Sequence, residues 1–188
     1  MCNLSPVNGK LMEQGDSVLT ADNFSTFGKP NAFETIVYGG LAIGFLDALD
    51  ASIFFTQYYD IPFTRVWQGV AAGILGSPAS AAGGWNTALL GLFLHFVIAF
   101  IVAVVYYAAS RNIPFLIRHP LISGLAFGVI VNFIMQYVVI PLSAAGGPAP
   151  FNLWPFLNGL IGHAFLVGLP VGLIAAWSSK PHEQNRYI

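Results

Sequence analysis

Four long apolar runs, separated by short polar or broken stretches, dominate the hydropathy pattern of this chain. They cover residues of about 35–57, 86–109, 121–144 and 156–177, each close to the ~20 mostly apolar residues that a helix needs to cross a hydrocarbon core. The pattern predicts an all-α polytopic membrane protein, its four transmembrane helices arranged as two tandem helical hairpins. A single transmembrane domain over 34–178 is expected, with a polar N-terminal tail (1–33) and a short C-terminal tail (179–188). One stretch, 64–83 (TRVWQGVAAGILGSPASAAG), is apolar but too short to span, and Gly76-Ser77-Pro78 breaks it. It predicts an interfacial or re-entrant segment.

The polar interruptions inside the runs are few and regularly placed. His95 and His163 each follow the start of their run by about eight residues, while Asp50 and Gln136 each precede the end of theirs by about seven. With helices of alternating direction, all four fall at one depth, roughly 10 Å inside the same face at ~1.5 Å rise per residue. Asp47 lies one turn from Asp50, and Asn132 one turn from Gln136. Ionisable side chains at such depth are costly and face a bundle interior, a cavity or a ligand.

Spacing predicts which way these side chains face. Gly91, His95, Ala99 and Ala103 share a stripe at i, i+4, as do Gly124, Gly128, Asn132 and Gln136, and Gly159 with His163. Gly40, Gly44 and Asp47 share a face in the first run. Small-residue stripes let helices approach closely, so the polar residues are expected to face protein. The runs also repeat short patterns in order. GLAxG occurs at 40–44 and 124–128, and GLxxH at 91–95 and 159–163. This suggests a duplicated hairpin in which His95 and His163 are symmetry partners about an axis along the membrane normal. Pro170, inside the fourth run, removes a backbone donor and predicts a kink.

Composition agrees with a membrane protein. Of 188 residues, 56% are hydrophobic and 8% charged, with mean hydropathy +0.70, where soluble chains carry about 25% charged residues. A net charge of −1 and no basic arm give no reason to expect a nucleic-acid partner. The single cysteine, Cys2, excludes an intrachain disulfide framework and a multi-cysteine metal site. No secretory signal is expected, because 1–33 lacks an apolar core. Lys10, Lys29, Arg111, Arg118, Lys180 and Arg186 fall on one side of a four-span topology and only Arg65 on the other. The positive-inside rule then predicts both termini in the cytoplasm of a bacterial inner (plasma) membrane, with the polar layer near the outer face. Trp85, Trp154 and Trp177 sit at run ends, where interfacial anchors belong.

Several chemistries suit such a layer. Asp47, Asp50, His95 and His163 are types that ligate a divalent metal, though no HExxH-like motif is present. His95 and His163 are types that ligate a haem or chlorin. Asp47, Asp50 and the histidines also suit a proton or ion path. The plainest role is interhelical pairing that fixes register, with Asn132 and Gln136 adding hydrogen bonds. Nucleophilic catalysis is not expected: there is no GxSxG and no serine beside either histidine.

The runs GLAIGFLDALDA (40–51), LGLFLHFVIA (90–99), YVVIPLSA (137–144) and GHAFLVGLPVGLIA (162–175) resemble an uncharacterised family of small bacterial four-helix integral membrane proteins. The resemblance covers roughly 36–177 and implies a topology but no reaction. The expected function is non-enzymatic: a small accessory or scaffold subunit in the bilayer, associating laterally with itself or a larger membrane complex. The alternative is a metal- or cofactor-binding or ion-conducting protein; the sequence names no cofactor.

Overall fold

The computed structural model describes residues 28–146 and 151–180; the expectations for most of the two tails and for the middle of the 145–155 loop lie outside these. Every regular element among the described residues is helical. Four helices are long and apolar enough to cross a bilayer: α1 Ala32–Tyr58, α4 Gly84–Asn112, α6 Pro120–Leu142 and α7 Leu153–Ser178. Between α1 and α4 lie α2 Phe63–Leu75 and α3 Ser77–Ala82, and α5 Phe115–Arg118 links α4 to α6.

Local chemistry sets the ends. Asn31 caps α1 by accepting from the Glu34 amide at 3.2 Å, which satisfies one of the orphan donors of the first turn. Ile113 is extended ahead of Pro114 and ends α4, as the ring of a following proline disfavours helical backbone. Asn152 accepts from the Trp154 amide to start α7. Gly76, at φ 77°, separates α2 from α3 in a conformation that L side chains resist.

Both later spans contain a wide π turn, Met135–Val139 in α6 and His163–Gly168 in α7. Each lies just before a proline, Pro141 and Pro170. A proline ring collides with the carbonyl four residues back and offers no N–H. One extra residue in the preceding turn accommodates both problems without ending the helix. The predicted disturbance at Pro170 therefore takes the form of a π turn.

The four spans alternate in direction. At the end carrying the described termini, Thr35 and Ser178 hydroxyls meet at 2.9 Å, and Tyr106 Oη donates to Leu116 O at 3.2 Å and lies 3.2 Å from Ser123 Oγ. At the opposite end, the Ala144 amide donates to Gly73 O at 2.9 Å. Helix α1 packs on both α4 and α7, and α6 packs on α7. Gly124, Gly128 and Gly168 make the α6–α7 crossing unusually close. A Cβ on Gly124 would stand 2.7 Å from Gly168 O, and Cβ atoms on the other two would overlap backbone of the facing helix. Ile43, Ala99, Ala103, Tyr106, Val131, Val167 and Val171 form the core on the bundle axis, while residues such as Leu49, Phe93, Ile101 and Ile122 face outward.

Candidate functional site

The interior polar residues gather where the spans enclose a small cavity of about 90 Å³. Ile43 and Asp47 line it from α1, His95, Ile98, Ala99 and Val102 from α4, Val131 and Met135 from α6, and His163 and Val167 from α7. Val70 of α2 contributes the remaining wall. The segment expected to be interfacial or re-entrant thus forms a helical hairpin that reaches the polar layer.

That hairpin is held by its own hydrogen bonds. Ser80 Oγ donates to Gln68 O at 2.6 Å, Thr87 Oγ1 to Ser80 O at 2.6 Å, and Gln68 Nε2 to Gly84 O at 2.9 Å. Trp67, 2% exposed, packs its ring edge-on against His95, centroids 5.2 Å apart. The close approach needs Gly91, since any Cβ there would collide with the Trp67 carbonyl.

The two histidines are used differently. His95 Nε2 lies 3.0 Å from Gly44 O. A carbonyl only accepts, so Nε2 carries the proton, and Nδ1 faces Asp47 Oδ2 at 4.0 Å. That distance is too long for a hydrogen bond but suits an ion pair when the imidazole is protonated. His163 instead donates through Nδ1 to Gly159 O of its own helix at 2.8 Å, leaving Nε2 as its acceptor nitrogen. Each histidine lies beside a glycine of the GLAxG pattern: His95 beside Gly44, and the His163 backbone beside Gly128.

Asp50 belongs to a neighbouring contact. Its Oδ2 accepts from Asn158 Nδ2 at 2.9 Å and sits against Gly162, where a Cβ would be 3.0 Å away. Gln136 is half-buried in the π turn of α6 and does not line the cavity. Asn132 departs from the expected interhelical bonding. It is 1% exposed, lies in the slot left by Gly159, and neither its Oδ1 nor its Nδ2 has a partner among the described residues. The neighbouring Gly159 carbonyl accepts from both the amide and the Nδ1 of His163.

These placements bear on what the site can hold. Among the described residues, no three His, Cys, Asp or Glu side chains gather closely enough to hold a metal ion, so Asp47, Asp50, His95 and His163 do not form one ligand set. A cavity of about 90 Å³ has room for about three waters at ~30 Å³ each, well below the ~300–1,000 Å³ of small-molecule sites.

Sequence reasoning missed Trp67, Val70, Met135 and Asn158. Asn158 carried a usable signal: a lone carboxamide in the first turns of a span, five residues before His163. Val70 and Met135 carried none, because nothing distinguishes them from other apolar residues.

Comparison of the chain with models of protein families, with characterised proteins and with solved structures finds no match, so the functional reading rests on this chain's own residues.

Proposed function

We propose that this protein is a non-enzymatic integral membrane subunit, an accessory or scaffold element that associates laterally with itself or with a larger membrane complex. The observation that carries this reading is how little of three spans the chain itself covers. The most apolar windows of α1, α4 and α6 are only 22%, 22% and 17% buried, against 44% for α7. In lipid such faces meet either acyl chains or other helices, and the proposal assigns part of them to other helices. The polar interior supports a structural role, since His95, Asp50 and His163 bond groups of their own chain around a cavity of water size. A bacterial inner membrane with both termini cytoplasmic belongs to the same proposal, on the basic-residue bias. So does an origin by hairpin duplication, on the matched histidine and glycine positions.

Native mass spectrometry from mild detergent and in-membrane cross-linking test the assignment. A defined homo-oligomer or a stoichiometric membrane partner is expected; a monomer by both methods in its native membrane overturns it. One observation favours a second reading, a proton path: Asp47, His95 and His163 line the same cavity. Proton flux into liposomes carrying the purified protein, lost in His95→Ala, would favour that path; flux equal to empty liposomes would remove it.

A further inference from the structure

A second, larger cleft lies beside the polar layer. It encloses about 550 Å³ and is lined by Phe54, Tyr58 and Tyr59 of α1 and Trp154, Leu157, Asn158 and Ile161 of α7. Helices α1 and α7 pack tightly from the cavity toward the end carrying the termini, but touch little over the first turns of α7. The cleft is the resulting wedge, and the Asn158–Asp50 hydrogen bond is its apex.

The chemistry of the walls selects a ligand. Phe54 lies within 5.5 Å of the Tyr58 ring and 5.6 Å of the Tyr59 ring, centroid to centroid, and Trp154 lines the α7 wall of the cleft. Aromatic rings attract a cation placed over their faces, and this cleft carries them on both walls. A carboxylate only accepts hydrogen bonds, so Asn158 must present Nδ2 to Asp50. Its Oδ1 is left as an acceptor with no partner among the described residues. No lysine or arginine lines the cleft, and Asp50, behind Asn158, supplies negative charge. The C-terminal pole of α1 on one wall and the N-terminal pole of α7 on the other offset each other, which leaves the carboxylate to set the sign. Leu157 and Ile161 continue the α7 wall as apolar surface, and Ile161 is exposed on the outside of the bundle.

We propose that this cleft binds the primary ammonium headgroup of a membrane-embedded amphiphile, with the nitrogen between the Tyr58 and Trp154 rings donating to Asn158 Oδ1 and the alkyl chain leaving past Ile161 into the bilayer. The volume lies within the ~300–1,000 Å³ of small-molecule sites. The proposal does not depend on lateral association of the protein.

The test uses the full chain in phosphatidylcholine nanodiscs, titrated with 5-bromoundecylammonium, whose bromine stays close to the headgroup and quenches tryptophan beside it. Saturable quenching is expected, with most of its amplitude lost in Trp154→Phe. Tyr58, 77% exposed, can be replaced without disturbing the core, and Tyr58→Ala should weaken half-saturation about threefold to tenfold, the size of one partly exposed cation–π contact. Equal quenching by 5-bromoundecanoate would overturn the proposal, as would equal affinity of the trimethylammonium analogue, which cannot donate to Asn158. Displacement by millimolar methylammonium alone would assign the site to a soluble amine and overturn the membrane source. A cleft filled by a second copy would give no quenching together with a dimer mass, and would also overturn it.

Discussion

At the scale of single residues, the polar layer is a set of pairwise bonds of unequal worth. His95 satisfies Gly44 O and faces Asp47, whose side chain is 20% exposed. Asp47 therefore keeps some hydration, and losing its partner costs less than stranding a fully buried charge. His95→Leu should lower stability by about 1–3 kcal/mol, the range for removing one partner of a buried polar contact. Replacing Asp47 and His95 together by leucine should recover part of that loss, and thermal unfolding of the single and double variants in detergent measures it. A double variant less stable than either single would reject a purely structural pair. Glycines give a sharper contrast. Gly128→Ala drives a Cβ into His163 O and should cost about 1–3 kcal/mol or more, as overpacking does. Gly69→Ala meets nothing within 4 Å and should be neutral or stabilising by up to about 1 kcal/mol, the helix-propensity gain. Equal melting temperatures for the two alanine variants would contradict the close α6–α7 crossing.

At the scale of elements, hydropathy made the four long helices legible, because spanning length and low charge leave few other solutions. The small-residue stripes likewise pointed to the faces that meet, as Gly124 and Gly128 against α7 show. What stayed hidden depends on contacts distant in sequence. Trp67 reads as an interfacial tryptophan until Gly91 brings α2 onto α4, and Gln136 shares a stripe with Asn132 only if α6 stays α-helical. The π turn at Met135–Val139 breaks that period and carries Gln136 away from the cavity. Pro141 was visible, but its consequence for register was not. The same logic yields a test at Pro170. Pro170→Ala removes the reason for the wide turn at His163–Gly168. Reversion to an α-helix would rotate the residues on one side of it by ~100° relative to the other. His163 should then leave the cavity, seen as a changed imidazole ¹⁵N shift for His163 with His95 unaltered. An unchanged His163 signal would mean that tertiary packing, not the proline, maintains the π turn.

At the scale of the whole molecule, the arrangement is asymmetric in two ways that bear on function. Helix α7 is the most enclosed span, with α1 and α6 packed on it and α4 carried mainly by α1 and the α2–α3 hairpin. The end opposite the termini holds the hairpin, the cavity below it and the aromatic cleft, whereas the other end is closed by Tyr106, Ser123, Thr35 and Ser178. Both spaces thus lie in the half of the bundle opposite the described termini, and which side of the bilayer that half faces decides which leaflet supplies a ligand. On the orientation proposed from the basic-residue bias, Arg111 and Arg118, in the α4–α6 connection, lie on the cytoplasmic side. In a Cys2→Ser background, Asn112→Cys and Phe151→Cys report the two ends, since both positions are exposed. A membrane-impermeant maleimide applied to spheroplasts should label Phe151→Cys and spare Asn112→Cys until the membrane is permeabilised. The reverse pattern would invert the topology and turn the hairpin, cavity and cleft toward the cytoplasm. Because the helices are fixed to one another by the Gly44–His95 and Asp50–Asn158 bonds, labelling at these two positions assigns the side for the whole polar layer at once.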